Sequence, residues 1–140
     1  MQLDRRSFLG HSAAAAALAA GATRRAVAAN DKVVMAAIGL GGRQTYLIKG
    51  FLERGDVDYA YLCDLHPTRN GQLSEQVASA TGKTPKCVTD YRRVLDDKSV
   101  DAVVVATPNH WHAPLTVFAC QAGKDVYVEK PICQNLWEGR

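Results

Sequence analysis

Apolar and polar positions after residue 30 follow two alternating periods, and they predict strands interleaved with helices. Apolar runs typical of buried strands lie at 33–40, 57–63, 102–106 and 126–128, with a shorter strand predicted at 86–88. Apolar residues at helical spacing occur between these runs, at Leu47, Ile48, Phe51 and Leu52, at Leu73, Val77 and Ala80, and at Leu115, Phe118, Ala119 and Ala122. Gly55, Gly82 and Gly123 stand where these helices should end, and a short helix is predicted at 91–95.

Strands that alternate with helices indicate an α/β fold built on a parallel sheet. Because crossovers between parallel strands are right-handed, few topologies remain. The best fit is a doubly wound sheet of order 3-2-1-4-5. Its switch point lies between strands 1 and 4, and ligands bind there at the carboxyl ends of the strands. The sequence therefore predicts functional residues in the turns that follow the strands.

Residues 1–28 have a different pattern, which predicts an export signal. Arg5 and Arg6 precede an Ala-rich apolar run at 13–20, and small residues at 26–28 offer a cleavage site. Paired arginines before a short apolar run resemble twin-arginine leaders. A membrane anchor is the alternative, but a span needs about 20 apolar residues. We therefore expect a leader at 1–28, a domain at 29–140 and a protein that is periplasmic or otherwise exported.

The charge of the chain lies in this leader. The whole sequence has 17 basic and 14 acidic residues, and the first 28 residues hold four arginines and one aspartate. The remainder has 13 of each sign and is formally neutral. A neutral domain gives no reason to expect nucleic acid or an anionic membrane as a partner.

Four cysteines occur, at positions 63, 87, 120 and 133. No two of them form a C-x-x-C pair, which argues against a metal knuckle or a redox motif. Cys63 and Cys87 fall on strands predicted to be neighbours, so a disulfide between them is conceivable in an oxidising compartment. Buried free thiols are the favoured interpretation, because unpaired cysteine behaves as a small apolar residue.

The turn after strand 1 contains the first candidate site, Gly39-Leu40-Gly41-Gly42-Arg43-Gln44. A G-x-G sequence between a strand and a helix is the context of a dinucleotide-binding loop. Gly39 permits the tight turn, while Gly41 and Gly42 allow the backbone, with Arg43, to approach a pyrophosphate at the helix N-terminus. Gln44 replaces the third glycine of the fingerprint. A merely structural tight turn is the weaker alternative in this context.

Asp64, at the end of strand 2, supports the same interpretation. A carboxylate at this place accepts hydrogen bonds from the ribose 2′-hydroxyl and repels a 2′-phosphate, which favours NAD over NADP. Arg69 lies close by and offers a phosphate partner, so NADP stays open as the less favoured cofactor.

A second polar cluster follows strands 4 and 5. Strand 4 leads into Thr107-Pro108-Asn109-His110-Trp111-His112, and strand 5 leads into Glu129-Lys130-Pro131. Together with the glycine loop and the A-G-K segment before strand 5, these motifs resemble the glucose–fructose oxidoreductase/inositol dehydrogenase (Gfo/Idh/MocA) family over residues 32–135. The resemblance implies a Rossmann domain that precedes an α+β substrate domain. The sequence ends in what resembles the first turn of a helix, so we expect a longer protein.

The resemblance also implies roles for these residues. Thr107, Pro108 and Asn109 would line the nicotinamide side of the cofactor, and His112 would hold that loop and support catalysis. Glu129 and Lys130 would face the nicotinamide ribose and the substrate, with Lys130 bonded to the reacting hydroxyl or carbonyl. A rigid peptide bond at Pro131, in either the cis or the trans form, would hold that lysine. A residue of the second domain would share the acid–base role.

Other interpretations of the histidines and the tryptophan are less specific. His110 and His112 have a spacing that a metal pair could use, but no third ligand is evident, so no metal site is expected. His110 is then a polar loop residue. Trp111 either belongs to a sugar platform or packs against the following helix.

The sequence as a whole predicts an exported oxidoreductase that transfers a hydride between a tightly bound nicotinamide cofactor and a sugar or polyol. Because free NAD is scarce outside the cytoplasm, the cofactor would be loaded before export. Two alternatives remain: an NAD-dependent glycosidase that oxidises its sugar transiently, and a non-catalytic sugar-binding or scaffold protein. The expected partners are a small sugar substrate, the twin-arginine machinery and, for the full-length protein, a second copy of itself.

Overall fold

A computed structural model of the chain describes residues 32–140, and the predicted leader at 1–28 lies outside the described residues. Five parallel strands form one sheet of order β3-β2-β1-β4-β5, which confirms the predicted topology. The strands are β1 (Val33–Ile38), β2 (Val57–Cys63), β3 (Lys86–Val88), β4 (Ala102–Val105) and β5 (Asp125–Val128). No helix among residues 32–140 is long and apolar enough to cross a membrane.

Four helices and one 3₁₀ turn connect the strands. They are α1 (Gly42–Leu52), α2 (Pro67–Thr81), α3 (Arg92–Leu95), the 3₁₀ turn Asn109–Trp111 and α4 (His112–Gln121). Helix α2 begins with Pro67, which has no backbone N–H to leave unpaired, and it ends at Gly82 in the left-handed conformation, with φ +71°. Gly82 explains why the C-terminal end of α2 was predictable from the sequence, whereas its start at Pro67 was not predicted.

Alternate residues of the strands pack into cores on the two faces of the sheet. Ala36, Ile38 and Val105 face a core completed by α3 and α4, whereas Ala37 and Val104 face a core completed by α1 and α2. Because successive strand residues point to opposite faces, strands covered on both sides must be apolar at every position. The continuous apolar runs of the sequence have this origin.

The observed element boundaries differ from the predicted ones at the turns. Strand β1 ends at Ile38 and not at residue 40, because Gly39 turns the chain with φ +83°. Helices α1 and α4 begin before their apolar stripes, at Gly42 and His112. The first turn of each helix lies beside the polar end of the sheet, so apolar spacing does not mark it.

All four cysteines are free. Cys63 pairs in register with Val88, while Cys87 pairs with Leu62, so the two thiols lie on opposite faces of the sheet and form no disulfide. Cys63 is buried, and burial raises the pKa of its thiol to about 12. The expectation of buried thiols is wrong for Cys87 and Cys120, which are exposed.

Candidate functional site

The glycine loop is built against the end of β4. Gly39 has φ +83°, and a Cβ placed on it would stand 2.7 to 2.9 Å from the backbone nitrogen, Cα and methyl group of Thr107. Its own N–H donates to the carbonyl oxygen of Cys63 at 2.9 Å. Both the backbone conformation and the close approach therefore require glycine at this position.

Open space lies beyond the next two glycines. A Cβ placed on Gly41 or Gly42 would meet nothing within 4 Å. Gly41 is the N-cap of α1 and provides no side-chain cap, and the first turn of α1 contains no acidic residue. The N–H groups and the positive end of the helix dipole thus remain available for an anion. This is the geometry that a pyrophosphate requires.

Gln44, which replaces the third glycine of the loop, is fully buried. Its backbone N–H donates to Gly41 at 3.0 Å, so the turn into the helix is regular. Its side-chain amide has no hydrogen-bond partner among the described residues, at either the oxygen or the nitrogen. Buried amides usually have hydrogen-bond partners, so the side-chain amide of Gln44 is an exception that keeps its donor and acceptor capacity unused.

Asp64 ties the end of β2 to the glycine loop. One carboxylate oxygen accepts the N–H of Leu40 and the other accepts the N–H of His66, each at 2.7 Å. The nearest cation is Arg69, at 3.7 Å. A carboxylate has about four acceptor positions, so these two bonds leave capacity for a ligand hydroxyl. Asp64 is therefore both part of the loop's scaffold and a candidate ligand contact.

An open cleft of about 780 Å³ lies at the carboxyl ends of β1, β2, β3 and β4. Four predicted site residues line it together: Gly39, Asp64, Thr107 and Pro108. Its other lining residues include Leu65, His66, Arg69, Tyr91, His110 and Trp111. The predicted residues Gly41, Gly42, Arg43, Asn109, His112, Glu129 and Lys130 are not among those that line it. The cleft is thus the part of the site next to Asp64.

The turn after β4 forms the wall of this cleft. Thr107 has a buried hydroxyl with no partner in the described part of the chain. Pro108, Asn109 and His110 are exposed. The ring centroid of Trp111 lies 6.1 Å from that of Tyr91, so Trp111 packs against the β3–α3 turn and leaves part of its ring exposed. No group of three or more metal-ligating side chains occurs within residues 32–140.

His112 connects the two turns that the sequence singled out. The ring is buried, with Nδ1 2.6 Å from the carbonyl oxygen of Pro131 and Nε2 2.8 Å from that of Thr107. The peptide bond between Lys130 and Pro131 is cis. Backbone carbonyl oxygens engage both ring nitrogens, so His112 joins the turn after β4 to the turn after β5. A catalytic role for His112 stays a prediction.

Glu129 is buried at the end of β5 and pairs with Arg43 of α1. The Nε and one terminal nitrogen of Arg43 lie 2.9 and 2.8 Å from the same carboxylate oxygen. This guanidinium lowers the pKa of Glu129, and the carboxylate in turn raises the pKa of Arg43. The sequence marked both residues but gave no sign of their pairing, because 86 positions separate them. Lys130, the next residue, is exposed.

Sequence reasoning missed Lys124, the lysine of the A-G-K segment. It is buried, and its ammonium donates to the carbonyl oxygens of Asp97 and Val100 at 2.7 and 2.9 Å. The lysine thus joins the α4–β5 turn to the α3–β4 turn. Because β5 alternates exposed and partly buried residues, the sequence around Lys124 carried no sign that this side chain is buried.

Comparison with known proteins identifies the family to which the chain belongs. The pattern of the GFO_IDH_MocA oxidoreductase family, which has an NAD-binding Rossmann fold, matches residues 33–140. A glycosyl hydrolase family 109 protein of Stenotrophomonas maltophilia is 37% identical over 133 residues, which is 91% of this chain and 29% of that protein. An α-N-acetylgalactosaminidase of Shewanella oneidensis is 28% identical, covering 72% of this chain and 23% of the relative. The chain therefore spans less than a third of the length of these relatives.

Solved structures share the fold. A probable dehydrogenase from Thermotoga maritima superimposes with a TM-score of 0.66 at 26% identity, and the match covers 75% of this chain and 30% of the dehydrogenase.

Proposed function

Because the chain belongs to the Gfo/Idh/MocA oxidoreductase family, we propose that it is the cofactor-binding part of an enzyme that acts on sugars through a bound nicotinamide dinucleotide. One observation carries this proposal: a glycine loop with an uncapped helix N-terminus lies beside a carboxylate at the switch point of the sheet. That combination is the binding geometry of a dinucleotide. The activity, substrate and partners of the full-length protein are part of the proposal.

The residues present fit such a cofactor. Space above Gly41 and Gly42 would admit the pyrophosphate, and Asp64 would accept hydrogen bonds from the adenosine ribose. Thr107, Pro108 and Asn109 would border the nicotinamide side, and Glu129 the second ribose. When bound, the nicotinamide ring supplies the acceptor and donor of a hydride.

NAD is the proposed cofactor, with NADP less favoured. The Asp64 carboxylate is held by two backbone N–H groups, so it cannot easily turn away from a 2′-phosphate. Arg69, which is exposed and lies 3.7 Å from Asp64, is the feature that favours NADP, because its guanidinium could bind a 2′-phosphate. We favour NAD because the negative charge of Asp64 is held in place by the backbone, whereas Arg69 stands on an exposed side chain.

Lys130 is the proposed catalytic residue. It is exposed beside the buried Glu129, at the carboxyl end of β5. An ammonium there can polarise a substrate carbonyl, or hold the proton of a hydroxyl while a hydride moves. His112 supports it by binding the carbonyl oxygen of Pro131.

Two outcomes of this chemistry are possible, and the relatives favour the second. Net hydride transfer to or from a sugar or polyol is the outcome the sequence ranked first. A redox-neutral cycle, with transient oxidation of the sugar and cleavage of its glycosidic bond, is the other. Both curated relatives described above have glycosidase names, so glycoside cleavage is now the preferred form of the proposal. A non-catalytic scaffold is disfavoured because Lys130 is retained.

Export through the twin-arginine route completes the proposal. The supporting feature is the Arg5-Arg6 pair before a short Ala-rich run. Since this route carries folded proteins, the cofactor is loaded in the cytoplasm and stays bound. A redox-neutral cycle suits such a compartment because it consumes no free NAD.

The deciding experiment begins with cofactor identity. The full-length protein, expressed with its own leader and purified from the periplasm, is denatured and its released nucleotide identified by mass spectrometry. We expect NAD or NADH in near-stoichiometric amount. NADP would overturn the cofactor assignment, and an empty site that neither nucleotide can fill would overturn the proposed function.

The product then distinguishes the two outcomes. Aryl glycosides of N-acetylgalactosamine and of other common sugars are incubated with the loaded enzyme, and released aglycone and oxidised sugar are both quantified. Aglycone without net reduction of the cofactor supports the glycosidase form. Oxidised sugar with matching NADH supports net hydride transfer. The Lys130→Met variant is the control, and it should lose either activity by about 100-fold or more.

A further inference from the structure

The Arg43–Glu129 ion pair crosses the candidate site. Arg43 is the second residue of α1, after β1, and Glu129 follows β5. Strand β4 lies between β1 and β5 in the sheet, so the pair spans two strand spacings, about 10 Å. The guanidinium therefore passes over the carboxyl end of β4. That is the path a dinucleotide must take from the glycine loop to the turns after β4 and β5.

The two partners differ in freedom. The Glu129 side chain is 10% exposed, whereas that of Arg43 is 60% exposed. The carboxylate is fixed at the end of a strand whose backbone is bonded to β4 through Glu129 N–H and Val105. Arg43 stands on the N-terminal turn of a helix, on a long side chain. The arginine is thus the partner that can change its contact.

We infer that the Arg43–Glu129 pair is a strap that a bound dinucleotide opens: the pyrophosphate takes the guanidinium, and the Glu129 carboxylate stays in place and becomes free to accept a hydrogen bond from the cofactor. This inference rests on the proposed function. In the free protein Glu129 competes with the cofactor for Arg43, and the pair closes the path over β4. In the loaded protein both side chains bind the cofactor instead of each other.

The charges favour the exchange. Arginine binds phosphate through two parallel hydrogen bonds, and a pyrophosphate has two negative charges where Glu129 has one. In the free protein both nitrogens of Arg43 share a single oxygen of Glu129, so the pairing is not the two-oxygen fork that binds carboxylate best. The uncapped N-terminus of α1 adds N–H donors for the phosphate and none for Glu129.

Adenosine and ADP are the probes that test the strap. Both contain the adenosine that Asp64 would bind, but only ADP contains a pyrophosphate, and neither contains the nicotinamide ribose. Glu129→Gln removes the competing charge, so ADP should bind about fivefold more tightly to the full-length protein, depleted of cofactor, while adenosine is unchanged. Calorimetric titration measures both.

Arg43→Ala gives the complementary result. ADP should bind about tenfold more weakly, again with adenosine unchanged. In the double variant Arg43→Ala with Glu129→Gln, ADP affinity should equal that of Arg43→Ala alone, because Glu129 acts only through Arg43. A further gain from Glu129→Gln in the absence of Arg43 would overturn the strap.

Asp56→Asn is the matched control. Asp56 also accepts two hydrogen bonds from one arginine, Arg54, but this exposed pair lies at the opposite end of the sheet. It should leave the affinity for ADP unchanged. Glu129→Asp shortens the acid and should change ADP binding in the same direction as Glu129→Gln, so the test survives if one variant does not fold.

Two failures are distinguishable. If the wild-type protein binds NAD and ADP but Glu129→Gln leaves ADP binding unchanged or weaker, the strap is wrong and the proposed function stands. If the wild type binds neither NAD, ADP nor adenosine, the proposed function fails and the strap with it.

Discussion

At the scale of single residues, Gly39 shows how one position serves both the fold and the site. Its φ of +83° and the atoms of Thr107 around its missing Cβ together exclude a side chain. Gly39→Ala should therefore destabilise the protein by about 2 kcal/mol or more and weaken NAD binding. Urea denaturation and NAD titration measure the two effects.

Gly50→Ala is the control for this prediction. Gly50 lies within α1, and a Cβ there would meet nothing within 4 Å. Alanine should increase stability by about 0.5–1 kcal/mol, because glycine is a poor helix former. If both substitutions had the same effect, the close approach at Gly39 would not matter.

His112 gives a second prediction at this scale. Its ring lies between the carbonyl oxygens of Thr107 and Pro131, so His112→Leu removes two partly buried contacts that join the two turns. We expect a loss of about 2 kcal/mol in unfolding free energy and weaker NAD binding. His110→Ala, two residues earlier and exposed, should change neither quantity. Equal losses from the two variants would contradict the proposed holding role.

At the scale of the elements, the turns opposite the site are held by Lys124. Its ammonium binds two backbone carbonyl oxygens of the α3–β4 turn, at Asp97 and Val100. Lys124→Met keeps the length of the side chain but removes the donor, so unfolding free energy should fall by about 1–3 kcal/mol. NAD affinity should not change, because this turn lies at the amino ends of the strands. Thermal and urea unfolding, with NAD titration, test both statements.

Lys98→Met is the matched control for Lys124. Lys98 lies in the same α3–β4 turn but is exposed, and its substitution should change stability by less than about 0.5 kcal/mol. A comparable loss would mean that the net charge of the turn, and not the buried hydrogen bonds, stabilises it.

The elements also show what patterns of apolar residues can predict. Strand order, strand positions and the C-terminal end of α2 followed from runs and punctuation, since burial on both faces and a left-handed glycine leave marks in the sequence. The first turns of α1 and α4 were not predicted. The residues of these first turns, which start at Gly42 and His112, are mostly polar or small because they face the candidate site. Apolar residues at helical spacing are therefore absent there.

At the scale of the whole molecule, the sheet brings together residues from both halves of the sequence. The switch point places Gly39, Asp64 and Thr107 around one cleft. Asp64 and Thr107 are 43 positions apart, and only the order β2-β1-β4 makes them neighbours. The proposed export belongs to this scale too, because it requires a domain folded around its cofactor.

The leader provides a prediction with an internal control. Arg5→Lys combined with Arg6→Lys should abolish periplasmic accumulation, because the twin-arginine route depends on that pair. Arg24→Lys with Arg25→Lys makes the same charge-conserving substitution elsewhere in the leader and should leave export intact. Immunoblots of periplasmic and cytoplasmic fractions measure the result. Export of the first variant would contradict the twin-arginine proposal.

The sequence by itself determined the class of fold, the strand order and the positions of the candidate site, because burial, turn geometry and the glycine loop are local requirements. Only the tertiary structure decided which of those residues meet. The Arg43–Glu129 pair, the two carbonyl contacts of His112 and the burial of Lys124 all join distant segments. Such contacts depend on strand order and register, which bring side chains together without leaving a pattern along the chain.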